Sequence, residues 1–84
     1  MKIFTVTRNC IKNGKLAYCI TDAVFTDKES AKVYAKKQVV EQAALWKVEP
    51  QTLHKVRGYY NAVELRHPTV NMVMTIILQV KGLD

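Results

Sequence analysis

Little in this chain can support catalysis or hold a metal. Serine occurs once, at Ser30, histidine only at His54 and His67, cysteine only at Cys10 and Cys19, and glycine only at Gly14, Gly58 and Gly82. Three scattered glycines make no phosphate-cradling loop. The Cys-x8-Cys and His-x12-His spacings match none of the closely spaced ligand pairs of structural zinc sites. A thiol–imidazole pair would need Cys10 beside one of the histidines, and nothing in the pattern brings them together. Ser30 falls in the first turn of a helix, where a local backbone role is the plainer reading than nucleophilic attack. The chain is therefore read as non-enzymatic, with no metal and no cofactor.

Long apolar runs are also lacking. The richest segment, Val70 to Val80, is broken by Asn71, Thr75 and Gln79 and is too short to span a bilayer. Met1 leads straight into Lys2-Ile3-Phe4-Thr5, which does not read as a secretion signal, so a cytoplasmic protein without membrane contact is expected. Acidic residues are few: seven Asp and Glu stand against thirteen Lys and Arg, for a net charge of +6. That balance excludes a mimic of DNA, which must be acidic, and favours an acidic protein surface, nucleic acid or anionic lipid as partner. At 84 residues the chain has room for one modest core, hence a single domain over 1–84.

What is present begins with one long helical signal. Thr26-Asp27-Lys28-Glu29 has the form of a capping box with Thr26 as N-cap, and Pro50 marks where the helix has ended, which places it at about Asp27 to Lys47. At 100° per residue Ala31, Tyr34, Ala35, Val39, Leu45 and Trp46 share one sector, with Gln38 and Gln42 inside it, and this is the expected core face. Val33, Val40 and Ala44 form a weaker stripe on the opposite side, among Lys36, Lys37 and Lys47. It is either a partner face or the ordinary scatter of small apolar residues on a surface.

The rest reads as strand and turn. Lys2 to Cys10 and Lys15 to Phe25 flank Asn13-Gly14, the strongest short hairpin signal because both turn residues need positive φ. A two-residue loop pairs Cys10 with Ala17, Arg8 with Cys19, Val6 with Thr21 and Phe4 with Ala23. On that register Phe4, Cys10, Ala17 and Cys19 face the helix, while Leu16, Tyr18 and Ile20 lie partly exposed on the other side, unless a bulge intervenes. The two cysteines sit diagonally, too far apart for a disulfide, and read as reduced thiols packed like small apolar residues. Pro50 to Gly58 suits a short helix or irregular connection better than the start of an edge strand. Tyr59 to Arg66 alternates as a third strand, and His67-Pro68 turns it into Val70 to Val80, a fourth and central strand. The expected architecture is α+β, ββαββ, a four-stranded antiparallel sheet with one long helix across one face.

The basic residues fall into three groups: Arg8, Lys12 and Lys15 near the hairpin tip, Lys28, Lys32, Lys36 and Lys37 on the helix, and Lys55 and Arg57 after it. With Tyr18 these are the candidate partner-binding residues. They form either a ridge that meets phosphate or carboxylate, or a solvated lysine face. No RNP1 pattern, recognition helix or zinc finger appears, and only Tyr18, Tyr59 and Tyr60 offer strand tyrosines on which bases could stack.

The layout of a short N-terminal hairpin, then Val24-Phe25-Thr26-Asp27-Lys28-Glu29-Ser30-Ala31 leading into one helix, then a closing hairpin, resembles the small single-domain proteins of phages and mobile elements. It is similar in size and form to small anti-CRISPR proteins. The resemblance implies a stoichiometric inhibitor that binds a host defence nucleoprotein complex by surface complementarity, in the host cytoplasm. The partner would be an acidic or RNA-bearing surface, engaged by lysines of the helix and hairpin tip with Tyr18 and Ile20 adding burial. The alternative is a small module that binds nucleic acid directly. The inhibitor would act as a monomer, or as a homodimer joined through the Val33, Val40 and Ala44 stripe.

Overall fold

A computed structural model describes residues 1–52 and 61–82. The elements run β1 (Lys2–Lys12), β2 (Lys15–Phe25), α1 (Lys28–Trp46), β3 (Gln51–Thr52), β4 (Asn61–Arg66) and β5 (Met72–Gly82). The strands form one antiparallel sheet in the order β2-β1-β5-β4-β3. The α+β class, one helix among the described residues and the central place of β5 agree with the sequence reading. The strand count does not: Gln51 and Thr52 pair with Glu64 and Val63, so among the described residues the sheet has five strands in the sequence ββαβββ. The short helix considered for Pro50 to Gly58 is thus replaced at its start by an edge strand, and its remainder, with Tyr59 and Tyr60, lies outside the described residues.

Asn13 (φ 53°) and Gly14 (φ 77°) both adopt the left-handed conformation that the two-residue hairpin demands. The pairing below them departs from the simple register. Lys12 faces Lys15 and Ile11 faces Leu16, but Cys10 faces Tyr18, Arg8 faces Ile20, Val6 faces Ala23 and Phe4 faces Phe25. Two register shifts, leaving Ala17 and then Asp22 as extra residues on β2, account for the change. The first shift swings Tyr18 and Ile20 to the helix side and Cys19 to the other. Cys19 is consequently exposed rather than packed, while Cys10 is buried, and both thiols are free.

The core lies between α1 and the sheet, built on Val6, Leu65, Met74, Ile76 and Leu78 below and Ala31 and Ala35 above. The two alanines let the helix backbone approach the sheet closely. Tyr34, Val39, Ala43 and Trp46 complete the seam. Leu45, expected on this face, is 73% exposed, because its angular position lies at the margin of the sector, beyond the sheet's reach.

The helix is capped one residue later than Thr26. Asp27, in extended conformation, accepts from Ser30 N at 2.9 Å and Ser30 Oγ at 2.7 Å. A carboxylate that satisfies a backbone donor and a hydroxyl together outcompetes the neighbouring threonine. At the other end Lys47 takes the left-handed conformation (φ 55°), with its N–H to Ala44 O and the Val48 N–H to Ala43 O, the double closure of a Schellman motif.

β4 and β5 pair in unbroken register, with Leu65 opposite Met74 and Val63 opposite Ile76. Val70 stands outside the strand, in the connection. There His67 Nδ1 accepts from Thr69 N and Val70 N, and the His67 ring meets Trp46 edge-on at 5.1 Å, so the end of α1 is fastened to the β4–β5 turn.

Candidate binding surface

The fold sorts the candidate residues by how far each charge is already matched. Arg8 projects from β1 on the helix side, where the extra residue Asp22 in β2 reaches it. Nη2 donates to Oδ1 at 3.1 Å, and Nε stands 2.6 Å from Oδ2 as a charge contact. The hydrogen bond to Asp22 holds the guanidinium pKa above its ordinary value against partial burial. Arg8 is therefore tied into the fold and does not join the hairpin-tip lysines. Tyr18, opposite Cys10, packs against the core, and burial pushes its hydroxyl pKa up.

Lys12 and Lys15 face each other across the turn, exposed, at the end of the sheet where Asn13 N donates to Asn71 O at 2.8 Å. Lys28 is half-buried in the first turn of α1. Lys32 lies 3.9 Å from Glu29 and Lys37 4.0 Å from Glu41, exposed pairs of little energetic weight. Lys36, one turn past Lys32, is exposed on the same flank. Together Lys32 and Lys36 rim a groove of about 260 Å³ between helix and sheet, floored by Val63, Ile76 and Leu78. Lys55 and Arg57 lie outside the described residues.

The structure thus brings Lys32, Lys36 and Lys37 together on α1 and leaves Lys12 and Lys15 at one end of the sheet. Beside the helix lysines, Val33 and Val40 are 69% and 59% exposed, and Ala44 and Lys47 are exposed beyond them. The stripe noted in the sequence is accordingly a true outward face, apolar along its middle and lysine-flanked, with Glu29, Glu41 and Glu49 interspersed along it. Among the described residues no three of His, Cys, Asp and Glu cluster as a metal site would, and no helix is long and apolar enough to cross a membrane.

No family model matches the chain, and no curated protein or solved structure matches it significantly.

Proposed function

We propose that this chain is a binding protein that docks on an acidic macromolecular surface through the outward face of α1. The observation that carries the reading is the exposed Val33, Val40 and Ala44 stripe set among Lys36, Lys37 and Lys47. Apolar contact in the middle supplies burial, and the surrounding ammonium groups select a partner bearing carboxylates or phosphates and speed its approach. In the setting the layout resembles, the partner is a host defence nucleoprotein complex in the cytoplasm and the chain acts as a stoichiometric, cofactor-free inhibitor of anti-CRISPR type. Direct reading of single-stranded bases is the weaker alternative, because Tyr18 turns toward the helix and offers no stacking platform.

The test compares the wild-type chain with Lys32→Glu/Lys36→Glu/Lys37→Glu, both used to capture partners from host extract. Capture of the same complex by both proteins would sink the reading. A shift assay with DNA and RNA at two salt concentrations separates the alternative, which requires tight binding that falls steeply as salt rises.

A further inference from the structure

We infer that the groove between α1 and the β4 side of the sheet is a binding site for a single-tailed amphipathic anion, a medium-chain alkyl carboxylate. Five strands about 4.8 Å apart make a sheet ~19 Å across, whereas one helix is only ~10 Å wide. α1 lies chiefly over β1, β2 and β5. Its cover runs out toward β4, where among the described residues no second helix meets the sheet, and Val63 is left half-buried beside the gap. The groove follows from the strand order.

Its lining divides into an apolar interior and a cationic rim. Lys32, Ala35, Lys36 and Val39 stand at i, i+3, i+4 and i+7 along the helix, so they share one flank. Ala35 and Val39 complete with the sheet residues an apolar lining around the groove's volume of about 260 Å³. Water held against such walls finds few hydrogen-bond partners, and an apolar tail displaces it favourably. Lys32 and Lys36 supply positive charge at the rim, and no Asp or Glu lines the groove. Lys32 already stands 3.9 Å from Glu29, whereas Lys36 forms no ion pair among the described residues and is the principal contact for a carboxylate head.

Size sets the length of the tail. At ~30 Å³ for each water-sized group, the groove holds about nine heavy atoms. The tail of octanoate fills it and leaves the carboxylate at the lysines. Each methylene buried tightens binding about three- to fourfold until the groove is full, and carbons beyond that length overhang the mouth and add little. An alkylammonium with the same tail brings like charge to the rim and is disfavoured. The site lies on the sheetward flank of α1, shares only Lys36 with the outward Val33, Val40 and Ala44 face, and does not rest on the docking role of that face.

The experiment is a methyl NMR titration of the full chain with octanoate from about 0.1 to about 10 mM, the range in which a ligand of this size is expected to saturate, with Kd on the order of 1 mM or tighter. Saturable shifts are expected at the methyls of Val39, Val63, Ile76 and Leu78. Butanoate is expected not to saturate in that range, decanoate to bind within about threefold of octanoate, and octylammonium to bind at least about tenfold more weakly. Lys36→Glu is expected to weaken octanoate about tenfold, and Lys37→Glu, on the outward side, to leave it within about twofold. Absence of saturable octanoate binding overturns the inference, as do shifts spread over residues away from the groove or equal binding of octylammonium. So does a Lys36→Glu variant with unaltered affinity, or a Lys37→Glu variant weakened as much as Lys36→Glu, which would reduce the effect to net charge. None of these outcomes touches partner capture by the outward face, so the two readings fail separately.

Discussion

β1 has two neighbours, and it treats them differently. Against β5 it pairs without interruption from Lys2 opposite Gly82 to Lys12 opposite Met72; against β2 the register shifts twice in a strand of the same length. The β5 side is pinned by burial. Met74, Ile76 and Leu78 fill the core beneath α1, and a slip of one residue would send Thr75 and Ile77 into it instead. β2 is an edge strand, with only Tyr18 and Phe25 packed against the core, and there a polar demand can outweigh regular pairing. The shift at Asp22 delivers a carboxylate to Arg8, which would otherwise stand uncompensated beside the helix. Register is rigid where apolar side chains are densely buried and adjustable where an edge must satisfy a charge.

The contrast can be broken most severely on the β5 side. Leu78→Ala removes a fully buried side chain from the centre of the core and is expected to cost about 3–4 kcal/mol, read as a lower urea midpoint. On the β2 side, Asp22→Ala strands the Arg8 guanidinium. With Asp22 9% and Arg8 27% exposed, water recovers part of the loss, and about 1–2 kcal/mol is expected in the same assay. A cost as large as that of Leu78→Ala would mean that the edge is pinned as firmly as the centre.

Two titrations sharpen the difference further, because the β2 side and its link into α1 carry groups whose protonation matters. Burial raises the Tyr18 pKa, so its contribution is complete below the ordinary phenol value of about 10 and declines as pH rises through the higher folded value. Thermal melts at rising alkaline pH should therefore show Tyr18→Phe losing less stability than the wild type. Asp27, just beyond β2, has its pKa lowered by the Ser30 hydroxyl and backbone N–H. Its contribution is full above the ordinary carboxylate pKa and disappears as pH falls through the lower folded value. The Tm deficit of Asp27→Ala should accordingly shrink on acidification, and a constant deficit would show that the cap acts without its charge. The smallest effect is expected for Leu16→Thr, exposed on the edge strand, at within about 0.5 kcal/mol of wild type.

Much of the fold was legible because its signals are local. Asn13-Gly14 announces its turn through the conformations it needs, the alanines and aromatics of α1 repeat at helical spacing, and the alternation from Met72 to Val80 marks a strand buried at the centre. The two bulges were not legible, since no local residue pattern marks Ala17 and Asp22 as extra, and they decide the side on which Tyr18, Cys19 and Ile20 fall. The capping-box pattern pointed to Thr26, and the cap falls on Asp27 because its carboxylate reaches both the backbone N–H and the hydroxyl of Ser30. Gln51–Thr52 is too short to carry a strand period. Of the candidate surface, the helix lysines and the Val33, Val40 and Ala44 stripe follow from angular position alone. Arg8 looked like a member of the hairpin-tip group because its partner lies fourteen residues away along the chain.

The place of β5 also has a consequence in time. β5 is synthesised after the other described strands, yet it lies between β1 and β4 and supplies Met74, Ile76 and Leu78 to the core. Until it emerges, β1 offers a bare edge and α1 has no sheet centre to lie on, so the hairpin and helix made first cannot close a core on the ribosome. Closing the core therefore requires contacts between β1 and β5, far apart along the chain, of the slow, high-contact-order kind, and until they form the nascent chain carries an exposed, pairing-competent strand.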